Sequence, residues 1–299
     1  MTAEQFLLDF FHTSPNLAQI EQCATEKKSD WSIFYHLTPQ RLNLLDWFDF
    51  NPHTSLLEVG AGNGALTGFF TTQVAHVTAL EPDPARCEVL HARYQRQSAH
   101  QLQILPQSLS QFTASTSSDH FDYITLIGVL EYASQFYSPS PGDQFSPYLA
   151  LLQQAVTQLK SYRSQLIIAI ENRLGLKYWN GCVEDHTSQH FSSLENYPNT
   201  TQIQTFTQAE LTALLHQAGL TKLNWYYPFP DYKLPQTILN DYFLTHPELL
   251  PSTLSELWAD GWQPGKKLNP FTAASVAAHL QKEQISARFA PSFLVIASR

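Results

Sequence analysis

Three glycines alternate with other residues directly after a short apolar run. Residues 56–67 read Leu-Leu-Glu-Val-Gly-Ala-Gly-Asn-Gly-Ala-Leu-Thr, which places glycines at Gly60, Gly62 and Gly64. Glycine lets the backbone turn sharply and removes the Cβ atoms that keep a ligand away from the main chain. The spacing therefore predicts a turn between a strand and a helix that a ligand approaches closely.

Two carboxylates flank this turn. Glu58 precedes Gly60 by two residues, and Glu81 follows the next apolar run. A carboxylate in the second position can accept hydrogen bonds from both hydroxyls of a ribose. A carboxylate in the first position repels a pyrophosphate and attracts an ammonium group. The two acids therefore favour S-adenosylmethionine, an adenosine cofactor with a cationic amino-acid tail, over a dinucleotide.

The same loop also fits a dinucleotide fingerprint when it is read as Gly60-x-Gly62-x-x-Ala65. An NAD(P)-dependent oxidoreductase is therefore an alternative hypothesis. A non-catalytic module that keeps a cofactor-binding fold for partner binding is a second alternative. A thermal-shift assay distinguishes them, since S-adenosylhomocysteine, NADH or neither compound would raise the melting temperature.

Strand-like and helix-like segments alternate around the loop, in the rhythm of a parallel sheet that helices cover on both faces. We predict strands at 55–59, 74–80, 101–105, 123–127, 166–170, 220–227 and 293–297, and helices at 65–73, 84–97, 147–160 and 207–218. Residues 1–50 have helical periodicity. Residues 175–205 are polar and aromatic and read as an inserted lid. Residues 228–284 are rich in proline and predict an irregular or helical appendage.

Composition limits the class of protein. The 299 residues are 43% hydrophobic and 14% charged, which excludes a disordered chain. A formal net charge of −9 argues against a nucleic-acid partner. The 3 cysteines form neither a disulfide framework nor a zinc motif. With no apolar run of membrane-spanning length and no secretory signal, we expect a cytoplasmic protein without membrane insertion. The linear pattern does not predict an oligomeric state.

The sequence resembles the class I S-adenosylmethionine-dependent methyltransferases. The resemblance rests on Glu58-x-Gly60-x-Gly62-x-Gly64, on Glu81, and on the segment 121–131, and it covers about residues 30–230 and the last strand. It implies an α/β fold, a Rossmann-like three-layer sandwich around a seven-stranded, mostly parallel sheet with strand order 3-2-1-4-5-7-6. Segments 35–41, 171–179 and 184–186 resemble a bacterial subgroup that is often encoded with glycosyltransferases of surface-polysaccharide synthesis, or fused to them.

Three regions follow from the pattern and the resemblance together. We expect an N-terminal helical cover at 1–50, a cofactor-binding core at 51–230 plus 285–299, and an inserted appendage over the acceptor site at 231–284. The cofactor is expected to be held mainly by the glycine loop and its acids. The resemblance places the adenine near the end of the third strand. The predicted cofactor-binding residues are Glu58, Gly60, Gly62, Gly64, Glu81, Gln107, Ser108, Tyr35 and His36.

Methyl transfer from a sulfonium needs in-line positioning, exclusion of water and, for a hydroxyl acceptor, a base. Glu131, Asp185 and His186 are the candidate catalytic residues. Each has a structural alternative, because Glu131 could sit at a helix N-terminus and the Asp185-His186 pair could order a loop. The 12 histidines show no metal-ligand spacing, so we predict no metal. The resemblance implies a saccharide or small-molecule acceptor.

Overall fold

The computed structural model describes residues 1–98, 100–112, 120–198, 203–249, 258 and 268–299. Parts of the predicted insertion at 175–205 and of the predicted appendage at 231–284 therefore lie outside the described residues. The chain forms two compact units. The first contains residues 1–127 and 157–166, and the second contains residues 128–156 and 167–299.

The first unit contains four strands, all paired in parallel. Their order is β3-β2-β1-β4, with bounds β1 Ser55–Val59, β2 His76–Leu80, β3 Leu102–Leu105 and β4 Tyr123–Ile127. Helices α4 (Thr67–Gln73) and α5 (Pro84–Arg93) follow β1 and β2. The last four residues of β1 and of β2 are buried. The predicted strands are confirmed to within two residues, because a strand buried on both faces reads as a continuous apolar run.

The N-terminal residues are helical, as predicted. They form α1 (Ala3–His12), α2 (Leu17–Glu26) and α3 (Trp31–Leu37), followed by a 3₁₀ helix at Pro39–Leu44. A capping box of Asn16 and Gln19 begins α2. Helix α1 packs against α5, with Leu7 and Phe11 buried. The apolar face of α1 therefore covers a helix of the cofactor-binding unit.

The second unit contains all or most of each remaining element. Its strands are β5 Gln165–Glu171, β6 Lys222–Phe229, β7 Thr237–Asn240 and β8 Ser292–Ser298. Its α-helices among the described residues are α6 Ser146–Thr157, α7 Leu176–Trp179, α8 Gln208–Gln217, α9 Asp241–Thr245, α10 Ala273–Lys282 and α11 Ser286–Phe289. Strand β6 pairs antiparallel with β8 on one side and with β7 on the other. Leu166 to Ile170 of β5 are fully buried, so this strand is the centre of the unit's core.

The sheet order is β3-β2-β1-β4-β5-β8-β6-β7. The predicted order is confirmed for seven strands, with β8 in the place of the predicted seventh strand. The prediction of seven strands was wrong by one, because β7 lies in the segment that we predicted to be irregular or helical. It has 4 residues and pairs from Thr237 to Asn240 along the edge of β6. A strand this short shows no readable alternation, and β6 supplies its hydrogen bonds.

The described part of the predicted insertion is firmly packed in the second unit. Tyr178 is fully buried, and Lys177, Glu184 and Tyr197 are each at most 5% exposed. These polar residues can be buried because they form hydrogen bonds and ion pairs with one another. The composition of the segment does not show such pairing, so it suggested a lid. Among the described residues, the helices are too short or too polar for any to span a bilayer.

A substitution at Gly64 tests how tightly the glycine loop packs against α5. Its φ is +77°, and a Cβ there would lie 2.5 Å from Leu90 Cδ1 and 2.7 Å from Tyr94 Cε2. Strain and overpacking together predict that Gly64→Ala lowers the free energy of unfolding by about 2–4 kcal/mol, measured by urea denaturation. The matched control is Gly219→Ala, where φ is +90° and no atom lies within 4 Å of the added Cβ. Strain alone predicts a loss of about 1 kcal/mol there, so equal losses in the two variants would contradict the packing argument.

Candidate functional site

The three predicted glycines all adopt left-handed backbone conformations. The φ values are +70° at Gly60, +58° at Gly62 and +77° at Gly64. A Cβ at Gly62 would meet no atom within 4 Å, whereas a Cβ at Gly64 would collide with Leu90. Gly62 therefore borders open space that a ligand could fill, and Gly64 is required by the packing of α5.

Glu81 holds the glycine loop to the end of β2. Its Oε2 accepts a hydrogen bond of 2.7 Å from the Gly62 amide, and its Oε1 accepts one of 2.9 Å from the Asp83 amide. Burial raises the pKa of the Glu81 carboxyl. Each carboxylate oxygen has a second lone pair that could accept from a ribose hydroxyl. That Glu81 binds a ribose was predicted from the sequence and stays a prediction. Nothing in the sequence indicated that Glu81 also holds the glycine loop through the Gly62 amide.

Glu58 is buried at the end of β1. Its Oε2 accepts a hydrogen bond of 2.6 Å from the hydroxyl of Thr67, at the start of α4. Burial, with a smaller effect of the Glu81 carboxyl, raises the pKa of Glu58 to about 8. The hydrogen bond from Thr67 and the charges of Arg41 and Arg93 lower the pKa but do not outweigh burial. At pH 7 the carboxyl is therefore mostly protonated, and an arriving cation would favour its ionised form.

The first unit also places residues near this loop that sequence reasoning missed. Arg93 donates from Nη1 to the backbone carbonyls of His36 and Asn63, at 2.9 and 3.1 Å. The buried guanidinium of Arg41 lies 4.7 Å from the centre of the Tyr35 ring. The Asn63 side chain is 1% exposed, and its amide has no hydrogen-bond partner among the described residues. Once an arriving cation has displaced the proton of Glu58, Arg41 and Glu58 offer opposite charges, which suits the carboxylate and ammonium of an amino acid.

The remaining predicted cofactor residues also lie in the first unit. Burial, with the charges of Arg93 and Arg41, lowers the pKa of His36 to about 3, so its imidazole is neutral. The Ser108 hydroxyl is 2.8 Å from Ser110 Oγ and donates to Gln111 Oε1 at 3.1 Å. Gln107 is half-buried. Adenine contact by Gln107 or Ser108, and cofactor contact by Tyr35 or His36, stay predictions.

The second unit contains a group of charged and aromatic side chains that we call the acidic cluster. Its residues come from the turn after β4, the end of β5, the segment after it and the segment after β6. The members are Glu131, Tyr132, Glu171, Lys177, Tyr178, Glu184, Asp185, His186, Asp231 and Lys233. Three of these were predicted to be catalytic: Glu131, Asp185 and His186.

Two lysines neutralise the centre of the acidic cluster. Lys177 Nζ lies 3.0 Å from Asp185 Oδ2 and 2.8 Å from Asp231 Oδ2. Lys233 Nζ contacts Glu171 Oε1 and lies 3.3 Å from Asp185 Oδ1. Burial disfavours the charged form of each lysine, but the carboxylates outweigh this effect and hold the pKa of both lysines above the usual range. These ammonium groups therefore remain charged.

Asp185 is occupied by donors. Besides the two lysines it accepts a hydrogen bond of 2.6 Å from the Tyr178 hydroxyl. Burial raises the pKa of Asp185, but the two lysines overcome this effect and hold it well below the usual range. Its arrangement suits a residue that positions Lys177 and Lys233. The predicted role as a base stays a prediction without geometric support.

His186 and Glu131 lie together. The His186 Nδ1 atom is 3.1 Å from the Tyr132 hydroxyl, and Nε2 is 3.6 Å from Glu171 Oε2. Burial lowers the pKa of His186, but Glu171, Glu131 and Glu184 outweigh it and raise the pKa to about 9. Burial and Glu171 raise the pKa of Glu131 to about 8.

Three ligand-type atoms of the cluster have no hydrogen-bond partner among the described residues. They are Glu131 Oε2, Glu171 Oε2 and His186 Nε2. The three residues have ligand atoms that all lie within 4.8 Å of one another. Sequence reasoning named Glu131 and His186 but not Glu171, whose place at the end of β5 was a usable signal. It missed Asp231 and Lys233 because their segment was read as an appendage.

Replacing Gly62 tests whether a cofactor fills the space in front of the loop. We expect Gly62→Ala to weaken S-adenosylhomocysteine binding at least tenfold, because the added methyl occupies that space. The stability loss should be about 1 kcal/mol, from backbone strain alone. Gly142→Ala is the matched control, since its φ is +78° and its added Cβ also meets no atom within 4 Å. Unchanged affinity in Gly62→Ala, by isothermal titration calorimetry, would contradict the assignment.

The raised pKa of Glu58 predicts that the protein releases a proton when the cofactor binds. Because its pKa in the ligand-free protein is about 8, an ammonium group that binds the carboxylate must displace a proton at pH 7. We expect close to one proton released, measured by calorimetry in buffers of different ionisation enthalpy. The dissociation constant for S-adenosylhomocysteine should fall by up to about tenfold per pH unit between pH 6 and 7. Glu58→Gln should abolish both effects, and a wild-type affinity independent of pH would rule out this role.

Comparison with known proteins agrees with this geometry. The family model described as a methyltransferase domain matches residues 32–224. A structure of a Thermotoga maritima S-adenosylmethionine-dependent methyltransferase, a possible histamine N-methyltransferase, has 11% identity and a TM-score of 0.50 over 95% of this chain and 99% of that one. An Archaeoglobus fulgidus methyltransferase structure has 11% identity and a TM-score of 0.50 over 87% and 92%. At this identity the two structures show a shared fold.

The comparison with curated proteins finds no match. The family model nevertheless covers more than half of the chain and includes the glycine loop, Glu58 and Glu81. The methyltransferase hypothesis is therefore confirmed over the oxidoreductase alternative. The chain belongs to the methyltransferase domain family and is an S-adenosylmethionine-dependent methyltransferase.

Proposed function

We propose that this enzyme transfers a methyl group to a hydroxyl of a small molecule or saccharide. The resemblance of segments 35–41, 171–179 and 184–186 to glycosyltransferase-associated methyltransferases supports a sugar-like acceptor. The acidic cluster supports a hydroxyl as the reacting group. The acidic cluster contains residues from two of those segments, 171–179 and 184–186. It includes Glu171 at the carboxyl end of β5, and open α/β sheets bind their ligands at such strand ends.

The observation that carries the proposal is the set of three unpartnered atoms, Glu131 Oε2, Glu171 Oε2 and His186 Nε2. A hydroxyl is a poor nucleophile until its proton leaves, whereas a neutral amine already presents a lone pair. In its deprotonated form each of the three groups can accept that proton; because the pKa values of Glu131 and His186 are about 8 and 9, these two groups act as bases mainly above neutral pH. All three residues are at least nine-tenths buried, so such a bond would form away from water.

The reaction step uses these groups as follows. The acceptor oxygen attacks the methyl carbon of the sulfonium, so an O–C bond forms as the S–C bond breaks. The sulfur keeps the electron pair and becomes the neutral thioether of S-adenosylhomocysteine. The hydroxyl proton passes to one of the three unpartnered atoms. Because the donor is already activated, the chain supplies position and a proton acceptor and no covalent intermediate.

A saccharide acceptor also suits the rest of the cluster. Several hydroxyls need several hydrogen-bond partners, and the Oε2 atoms of Glu131 and Glu171 and the ring of His186 lie beside phenols of the cluster. Tyr132, Tyr178 and Tyr232 belong to or adjoin this group, and Lys233 Nζ lies 5.0 Å from the centre of the Tyr232 ring. Phenol rings can also cover the apolar face of a sugar.

The test is a mass-spectrometric methylation assay with purified protein, S-adenosylmethionine and matched sets of sugars, amines and thiols. We expect methyl ethers from the sugar set. Glu131→Gln should lower kcat by about 10²–10⁴-fold, the usual range for losing acid–base catalysis. Its affinity for S-adenosylhomocysteine should not change.

The control variant is Glu195→Gln, because Glu195 is exposed and outside the cluster. It should keep full activity. Methylation of amines with no methylation of any hydroxyl compound would contradict the proposal. So would full activity of Glu131→Gln with a sugar acceptor.

A further inference from the structure

The acidic cluster contains two groups of carboxylates that could share a cation, and lysines occupy only one of them. In the group of Glu171, Asp185 and Asp231, the ligand atoms lie within 4.8 Å of one another. Lys177 and Lys233 already donate to all three of these residues. The two ammonium groups therefore balance the carboxylate charges of this group in place of a metal ion.

The other group is Glu131, Glu171 and His186, whose ligand atoms also lie within 4.8 Å of one another. Glu131 Oε2, Glu171 Oε2 and His186 Nε2 are buried and accept no hydrogen bond from the described residues. Buried polar atoms are seldom left without a partner. His186 Nε2 and Glu171 Oε2 lie 3.6 Å apart, too far for a good hydrogen bond, so all three atoms keep capacity for a ligand. We propose that Glu131, Glu171 and His186 bind a divalent first-row transition-metal ion, such as Mn²⁺ or Zn²⁺.

The distances fit a shared ion. Ligand atoms bound at about 2.1 Å from one ion lie roughly 3 to 4 Å apart. The His186 Nε2 to Glu171 Oε2 distance is 3.6 Å, inside this range. The largest separation in the group is below 4.8 Å, so binding needs only a small side-chain movement.

Charge favours the same conclusion. The cluster contains five carboxylates, from Glu131, Glu171, Glu184, Asp185 and Asp231, against the two ammonium groups of Lys177 and Lys233. Metal binding displaces the protons of its ligands, and the five carboxylates with the two ammonium groups then give a formal charge of about −3, which is costly in a site of low dielectric. A divalent ion reduces it to about −1.

Neighbouring residues orient the ligands. The His186 Nδ1 atom is 3.1 Å from the Tyr132 hydroxyl, and when Nδ1 donates to that hydroxyl Nε2 carries the lone pair that a metal ion needs. Lys233 contacts Glu171 Oε1 and leaves Oε2 unused. Glu184 Oε2 accepts from the His186 and Thr187 amides, at 2.9 and 2.7 Å, and fixes the backbone of this segment. Metal-binding histidines and carboxylates are usually held by such second contacts.

The ligand set selects the kind of ion and its use. An imidazole with two carboxylates suits transition ions better than Mg²⁺, which prefers oxygen alone. Three protein ligands leave coordination positions open. If the proposed function is correct, an acceptor hydroxyl can take an open position, and the ion lowers its pKa so that its proton leaves to the buffer. In the metal-bound enzyme the three side chains hold the ion, and the ion replaces them as the group that promotes loss of the hydroxyl proton.

The test measures Mn²⁺ binding to the full chain in the absence of cofactor and acceptor. We expect one Mn²⁺ per chain by calorimetry, and pulsed electron paramagnetic resonance should show coupling to one histidine nitrogen. His186→Gln should remove that coupling, and both His186→Gln and Glu131→Gln should weaken Mn²⁺ binding at least tenfold. His216→Gln and Glu195→Gln are exposed controls and should bind as the wild type does.

Absence of stoichiometric Mn²⁺ binding would overturn the proposal. So would a wild-type spectrum without nitrogen coupling, a result that does not depend on any variant folding. Binding of a simple organic amine such as ethanolamine at this cluster, with no Mn²⁺ binding, would overturn it in favour of a cationic substrate. Because no methylation is measured, a failed metal site and a failed acceptor assignment are distinguishable.

Discussion

The cost of removing carboxylates from water governs both candidate sites. A buried carboxylate must accept hydrogen bonds, pair with a cation or take up a proton. Glu81 follows the first course by accepting from the Gly62 and Asp83 amides. Glu171 and Asp185 follow the second, through Lys233 and Lys177. Glu58 and Glu131 follow the third, with pKa values of about 8. Of these groups, Glu58, Glu131 and the Oε2 atom of Glu171 keep capacity for a ligand.

This difference separates supporting residues from binding residues. Asp185 has three donors and a strongly lowered pKa, so its removal would disturb Lys177 and Lys233 before it affected any ligand. Glu131 has an oxygen with no donor among the described residues. A carboxyl left protonated by burial can exchange its proton for an arriving cation, whose charge then stabilises the ionised form. The functional candidates are therefore the unpaired acids, which an inventory of charged residues does not identify.

The sequence predicted the first unit well because its signals are local. The run from Ser55 to Val59 and the alternating glycines after it determine a strand and a turn within ten residues. Strand β7 was not predicted because its extended conformation depends on hydrogen bonds to β6 and not on a pattern in its own four residues. The sequence named Glu131, Asp185 and His186 of the acidic cluster, but Glu171, Asp231 and Lys233 escaped for a similar reason. Only the fold shows that Asp231 bonds to Lys177 of α7 and that Lys233 bonds to Asp185 and to Glu171 at the end of β5.

The prediction that no metal binds rested on histidine spacing along the chain, and that criterion has a physical limit. Regular spacing identifies sites built on one helix or one hairpin, where neighbours in sequence are neighbours in space. Glu131, Glu171 and His186 come from three separate segments, so no spacing rule could find them. What brings them together is the β5 end and the loops beside it, where polar side chains from distant segments meet. A missing motif in the sequence is thus weak evidence against a site whose side chains come from separate segments.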